Sequence, residues 1–558
     1  MRKAEELYNR EKQRCATYLH ETTEPKLLRL IDNELIGVHQ LKLIKNEASG
    51  LNKLLSSYVA CGGTDDKDLA RMYSLFVRLP DSDHSGITPI TEIFREFVTA
   101  VGLEVVEQSQ GDEAKKLVER HVEKYHLFNS LVEGAFKADH RFQLAMKEAF
   151  EQIVNQDVII KPKTETKEAS MMQTAELMAD YIDAVLKGKM HYNTEETWTC
   201  MDNVVALFAH LQEKDVFQTF HSELLAKRLV LYSEKVNMDY EGGFISKLKT
   251  LAGAYFTRKM EKMMMDLNGV ADAELAYVEH CGAKVDFDGQ DIKVEAQVLT
   301  RSNWPNYSAI DLNCPPQIQA CMDSYNEFYL KKHERRMLRW IHTMGTAQIT
   351  LDFVPGKVQP TVTVSVIQAA FMMLFNDRAE VTCGDVAKLL GVTEKFIKKY
   401  INSLALPDKK HPQYQLLKCT RPDGSDVKAK KTSLEFTSDD VLTLNAAGLG
   451  DKKLKLKRKY DMPLREMKVD GAEQAAILAK LQKERVWNID GKIVHEMKNR
   501  QRMKEGALVM AVVDGLKNLF NVQASFVRGR ILVLAEGNEY DEGQILKPVG
   551  DDEYEYVA

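Results

Sequence analysis

Few residues in this sequence have both the type and the spacing to carry chemistry, and the most suggestive is a lysine near the C-terminus. Leading into and through GKIVHEMKNRQRM, residues 491–503, the apolar side chains of Ile489, Ile493 and Met497 recur every four residues. That spacing puts them on one face of a helix, with Lys498 just beyond the stripe. A lysine so placed is either a solvated surface charge or a nucleophile, and spacing alone leaves both open. As a nucleophile it would attack an acyl carbon in its neutral form. A second cluster, Lys395, Lys398 and Lys399, sits on the second helix of a helix-turn-helix rhythm and could hold phosphates. A third, KKLKLKRK at 452–459, alternates lysine with leucine as a charged sheet edge or a docking strand for an acidic partner would.

The usual catalytic signatures are missing. No phosphate-binding loop, dinucleotide loop, H-E-x-x-H or G-x-S-x-G occurs. The eight cysteines are scattered with no C-x-x-C pair, so they read as reduced thiols with no zinc site, and no cofactor is implied. His333, in KKHERR, reads as a surface or capping residue, and Met263–Met265 as adaptable core packing. A net charge of −6 excludes a nucleic-acid polycation. No apolar run approaches the length of a membrane span, and the N-terminus lacks the apolar core of a signal peptide.

A chain of 558 residues must form several modules around these lysines. Residues 1–160 repeat apolar side chains at three- and four-residue steps, broken at CGGTDDKD and LPDSDHSGITP, which predicts stacked helices. The polar stretch 159–170 reads as a linker, and helical patterning resumes across 165–283. From 284 the texture alternates. KVDFDGQDIKVEAQVLT carries an Asp-Gly turn, and TAQITLDFVPGKVQPTVTVSV reads as a hairpin, so 284–376, completed by 434–465, is expected to be α/β. Residues 377–433 and 466–558 each outline a winged helix; the second is expected to have helices at 486–503, 507–519 and 525–536 and a strand-like tail. The fold class is therefore mainly α, followed by α/β with two winged-helix units.

Several segments in one order resemble the cullins, the scaffold subunits of multisubunit ubiquitin ligases. They are YLHETTEPKLL (18–28), DLARMYSLFVRLPD (68–81), KDVFQTFHSELLAKRLVLY (214–232), FISKLKTLAGAYFTRKMEKM (244–263), VLTRSNWP (298–305), FYLKKHERRMLRW (328–340) and QAAFMMLFN (368–376). The cullin signature I-V-x-x-M-K-x-R is matched by Ile493, Val494, Met497, Lys498 and Arg500, and the chain ends in the family's Tyr-x-Tyr-x-Ala manner. A competing register through 475–485 would place Gln482 at the lysine position and needs a large insertion downstream.

The resemblance implies a non-catalytic scaffold of the cytoplasm and nucleus. It implies that Lys498 accepts the ubiquitin-like modifier of the neddylation pathway through an isopeptide bond. It implies a RING-box protein with a strand threaded into the α/β region, and a ubiquitin-conjugating enzyme whose acidic tail could meet Lys227, Arg228, Lys247 and Lys249. Glu223 stands where a basic residue is common in that canyon. The chain is expected to begin inside the second of the family's three helical repeats, which leaves the usual substrate-adaptor surface in question. Gly491, Gly506, Gly515 and Gly529 lie in or beside the terminal helices, each costing roughly 1 kcal/mol against alanine in a helix interior, so a loose C-terminal module is expected. Two rival readings remain: a cullin-like interaction protein without ligase function, and a winged-helix nucleic-acid-binding protein.

Overall fold

The computed structural model describes all residues except 1, 19, 21–22, 48, 80–85, 111–115, 161–169, 232–235, 283, 306, 308–309, 352–360, 407–414, 428, 431–432, 446–458, 462–470, 518, 537–544, 551 and 558. The chain divides into two compact units. One comprises residues 1–224, 237–257 and 477–558, and the other 225–236 and 258–476.

The first unit opens with α1 (Arg2–Tyr18), α2 (Glu24–Leu35), α3 (Gln40–Ile44), α4 (Leu51–Ala60), α5 (Lys67–Phe76), α6 (Thr88–Gln108), α7 (Leu117–Gly134) and α8 (His140–Val154). The predicted break at CGGTDDKD is real: Gly62 and Gly63 take left-handed conformations between α4 and α5. Helix α6 buries Ile90, Phe94 and Val98 at four-residue steps, and α8 buries Phe142, Met146 and Phe150 likewise. The two helices pack closely because Gly102 has no side chain; a Cβ there would collide with Ile153 of α8. Phe136 and Phe142 stack at 4.0 Å, with Phe94 edge-on to both. Buried Gln40 ties in the turn before α6, exchanging side-chain hydrogen bonds with the N–H and C=O of Gly86.

Helices α9 (Thr174–Leu186), α10 (Thr194–Ala209), α11 (Lys214–Leu231) and α12 (Met238–Ala252) follow. Asn193 and Glu196 form a reciprocal capping box that starts α10. The expected linker is not wholly irregular: β1 (Asp157–Ile160) and β2 (Ser170–Gln173) pair antiparallel across it. Ile159 stands opposite Met171 in this ladder, a pairing that the polar stretch between the strands hid in the sequence.

His121 of α7 lies fully inside this unit, and neither ring nitrogen has a hydrogen-bond partner among the described residues. Burial pushes its pKa down to about 4. His210, after α10, is also lowered to about 4, by burial first and then by Lys147 and Lys214. Both rings are therefore neutral in the folded chain. The unfolded chain binds their protons below about pH 6.5, so stability is complete above that value and falls as the pH drops towards about 4. Between about pH 7.5 and about pH 5 the loss expected from His121 alone is about 2 kcal/mol. Urea midpoints at the two pH values measure it, and His121→Leu should flatten the difference.

The second unit carries α13 (Ala254–Asn268, from residue 258), α14 (Val270–Cys281), β3 (Val285–Phe287), β4 (Gln290–Ile292) and α15 (Pro316–Lys332). The Asp-Gly signal is a tight hairpin turn, with Asp288 and Gly289 both at positive φ between β3 and β4. Strands β5 (Thr346–Thr350) and β6 (Thr361–Ser365) pair antiparallel as the alternation predicts, and their connecting turn lies outside the described residues. Helix α16 (Val366–Met373) starts at a Ser365–Gln368 capping box, and Gln368 donates onward to Ser403 at 2.8 Å. Next come β7 (Glu380–Thr382), α17 (Cys383–Leu390), α18 (Glu394–Ala405), β8 (Leu417–Thr420), β9 (Ala429–Lys430), β10 (Ser433–Leu434), β11 (Val441–Leu444) and β12 (Lys459–Asp461). Gly391 ends α17 in the left-handed conformation, as the helix-turn-helix pattern requires. The sheets run β7-β11-β8 and β12-β6-β5, with β12 parallel to β6. Of KKLKLKRK only Lys459 falls within the described residues, on β12.

The chain returns to the first unit within α19 (Gly471–Arg500), followed by β13 (Arg502–Lys504), α20 (Glu505–Leu516), α21 (Ala524–Glu536), β14 (Leu546–Pro548) and β15 (Glu553–Tyr556). Helix α19 starts well before the expected residue 486 and ends at Arg500. It therefore spans 475–485, the stretch of the competing register. Among the described residues, no helix is long and apolar enough to cross a membrane.

Candidate modification site and partner surfaces

Helix α19 positions Lys498 through its buried face. Ile489, Ile493 and Met497 are enclosed by Leu508, Val512, Val527, Ile531 and Leu546. Lys498, one residue on, is exposed. Gln501 adopts φ +63°, which stops the helix: its N–H donates to Met497 O and its side-chain amide to Lys498 O, both at 2.8 Å. The chain then enters β13, which pairs antiparallel with β15, and the Tyr556 N–H donates to Gln501 O. This register brings the Tyr556 ring to 5.7 Å from Lys498 Nζ. Among the described residues Lys498 makes no ion pair and no side-chain hydrogen bond.

Its basic neighbours are engaged. Glu496 takes Lys492 at 2.7 Å and Arg500 at 3.5 Å, and the Lys492 hydrogen bond holds its carboxyl below the usual range. Lys492 reaches Glu496 by lying across Gly515 of α20, where any side chain would collide with it. A side chain at Gly515 would make the flexible end of Lys492 shift, a neighbourhood that the sequence alone did not suggest. Gly491, Gly506 and Gly529 have open space where a Cβ would stand, so nothing in the fold requires them. Arg530 of α21 grips Asp490 through two hydrogen bonds of 2.8 and 2.7 Å.

One pairing had no local signal in the sequence. Arg485 of α19 binds Asp215 of α11 in bidentate fashion, at 2.5 and 2.8 Å, and also meets Glu213 at 3.3 Å. Its guanidinium lies over Phe520, and the Asp215 N–H donates to Leu519 O. Burial pushes the Asp215 carboxyl above its ordinary value, and the Arg485 hydrogen bonds oppose that shift. The segment between α20 and α21 is thereby fastened to the start of α11. The partners are 270 positions apart in the chain, beyond the reach of any spacing rule.

The residues expected to meet an acidic tail do not act as a set. Arg228 is fully buried, so its guanidinium does not reach the surface; the helix that carries it turns that face to the interior. Lys247 is bound to Asp202 and lies over Trp198. Lys227 is half-buried and Lys249 exposed. Lys480 approaches Glu223 at 4.0 Å. On α18, Lys398 lies over Phe436, and Lys399 over Phe396 and Tyr400.

In the second unit, Asp266 clamps the segment that follows β4. It accepts from the Thr300 N–H and hydroxyl at 2.9 and 3.0 Å and from the Trp304 indole at 2.7 Å. Upstream of this clamp, residues 293–299 are extended, and Val294, Ala296 and Val298 alternate inward onto Tyr277, Tyr325, Phe328 and Tyr329. Leu338 and Trp340, on the irregular segment after α15, rest on the same aromatic cluster. Among the described residues, no backbone hydrogen bond involves residues 293–299 or 337–340.

Comparison with known proteins accords with this arrangement. Residues 1–274 match the family model of the cullin alpha solenoid domain, and residues 298–446 that of the cullin alpha+beta domain. The two cover about three quarters of the chain, and the chain belongs to the cullin family. Among its relatives are Cullin-1 of Oryza sativa subsp. japonica, 29% identical over 94% of this chain and 66% of the rice protein, and human Cullin-4A, 28% identical over 98% and 64%. Cullin-3 of Dictyostelium discoideum is 28% identical over 97% of this chain and 69% of its own length. The chain spans about two thirds of the length of the curated relatives it matches.

Proposed function

We propose that the chain is the scaffold subunit of a cullin-RING ubiquitin ligase, catalysing nothing itself. It binds a RING-box protein through the second unit, positions a ubiquitin-conjugating enzyme, and is regulated by attachment of a ubiquitin-like modifier at Lys498. A scaffold of this kind acts by proximity, raising the effective concentration of a substrate lysine near the loaded enzyme.

The observation that carries this reading is a pair of segments outside any ladder, 293–299 and 337–340, whose alternate side chains rest on one aromatic cluster. Burial alternates along residues 293–298 with the period of a strand, while the N–H and C=O groups of 293–299 have no partner among the described residues. Such a backbone is completed by an added strand. A RING-box protein supplies that strand and the RING that this sequence does not encode.

Co-expression with a small RING-box protein tests the proposal, and failure of the two to co-purify sinks it. Consecutive N–H groups of a strand point to opposite edges, so one of Ala296→Pro and Gln297→Pro removes a donor from the receiving edge. That variant should retain at least about tenfold less RING-box protein, the loss of a buried hydrogen bond plus local distortion.

A further inference from the structure

The exposed face of α19 carries a feature beyond the acceptor lysine. Trp487 is 69% exposed, an unusual position for the largest side chain. It lies eleven residues before Lys498, which at 100° per residue returns it to within about 20° of the same face, about 16 Å along the axis. Between them on that face stand Gly491 and half-buried Val494. Gly491 is in the interior of a long helix, where glycine weakens the structure, and a Cβ there would meet nothing within 4 Å. No internal packing accounts for the missing side chain. The bare backbone leaves room there for a close approach from outside. The charges around this face are exposed Lys483 and Lys504, with Arg500 and Arg502 paired to Glu496 and Glu555, and Asp490 held by Arg530.

We propose that Trp487, Gly491 and Val494 form the docking track for the conjugating enzyme that delivers the ubiquitin-like modifier, with Trp487 as its anchor. This rests on the reading of Lys498 as the acceptor. A standard interface contributes about 800 Å² per partner, a disc of about 16 Å radius, so a footprint that extends from Lys498 back along α19 reaches Trp487. The basic surround selects an enzyme with an acidic rim around an apolar patch. In the transfer, the neutral Lys498 amine attacks the thioester carbonyl carbon. The C–N isopeptide bond forms, the C–S bond breaks, and the enzyme's cysteine leaves as a thiol with the proton given up by the amine. Trp487 touches none of these atoms and acts as a positioning residue.

The test is steady-state conjugation of the full chain, with its RING partner, by an enzyme pre-charged with the modifier. Trp487→Ala should raise KM for the charged enzyme about tenfold, as truncation of a tryptophan hot spot does, and change kcat less than about twofold. Gly491→Gln should raise KM similarly while Tm holds or rises, since glutamine favours the helix. A merely structural role predicts the reverse pattern, with Tm moved and KM unchanged. Lys483→Glu should raise KM, and added salt should weaken its effect. Unchanged KM in Trp487→Ala and Gly491→Gln overturns the docking track. Loss of the RING protein from Trp487→Ala in the absence of conjugating enzyme also overturns it, because the face then belongs to that partner. Lys498→Arg is the control that separates the two readings. If it is modified as fast as the native chain, the acceptor assignment fails. If it blocks modification while the Trp487 and Gly491 variants keep their KM, only the docking track fails.

Discussion

Lys498→Arg is expected to reduce attachment of the ubiquitin-like modifier to the level seen without conjugating enzyme. Arginine keeps the charge but never presents a neutral amine at accessible pH, so it cannot attack a thioester. The fold should be untouched, because Lys498 is exposed and makes no ion pair among the described residues, and such surface changes shift stability by about 0.5 kcal/mol or less. Lys492→Arg is the matched control. Lys492 already belongs to Glu496 and lies over Gly515, so its replacement should leave conjugation intact. Gel-shift and peptide mapping of the branched product measure the outcome. Undiminished modification of the Lys498 variant would remove the acceptor assignment and the regulatory proposal with it.

Asp215→Ala is expected to destabilise the chain by about 2–3 kcal/mol, less than the cost of a fully orphaned buried cation because Glu213 at 3.3 Å still faces Arg485. Arg485 is only 14% exposed, so solvent cannot replace the two hydrogen bonds it loses. Exchange of the residue-215 amide should accelerate as well, because that N–H donates to Leu519 O. Replacing both partners by apolar residues, Asp215→Leu with Arg485→Met, should recover most of the loss, since the desolvation of both charges is removed together. Urea denaturation of the singles and the double closes the cycle. A single variant within about 0.5 kcal/mol of the native chain would show that the pair does not fasten the C-terminal module. That fastening matters to the proposed switch: a bulky domain attached to Lys498 competes with the packing that Arg485 maintains.

Periodicity carried the helical half of the fold into view because burial in stacked helices imposes a repeat that can be counted. Ile489, Ile493 and Met497 are buried as their spacing predicts, and the strand alternation of 346–350 and 361–365 places those residues in one sheet. Helix ends were less legible. Helix α19 begins at Gly471 rather than 486 because its first turns bury Ile477 and Leu481, a weak stripe diluted by alanines and lysines. Arg228 misled for a related reason: a charged residue inside a basic run reads as solvated, and only the packing of α11 shows it enclosed. The reach of Tyr556 to Lys498 and the grip of Arg485 on Asp215 depend on tertiary register. The first follows from a strand pairing and the second from two helices remote in sequence, so neither leaves a local signature.

The bare backbone at 293–299 has a consequence for the chain while it is still alone. An extended segment with unsatisfied N–H and C=O groups templates any other strand that meets it, including the same segment of a second copy. The inward face, Val294, Ala296 and Val298, is already fixed against aromatic rings, so little further ordering is needed before such pairing begins. If a partner strand completes this segment as proposed, the chain made without it exposes a self-adhesive edge there, and the timing of synthesis relative to the donor decides between assembly and self-association.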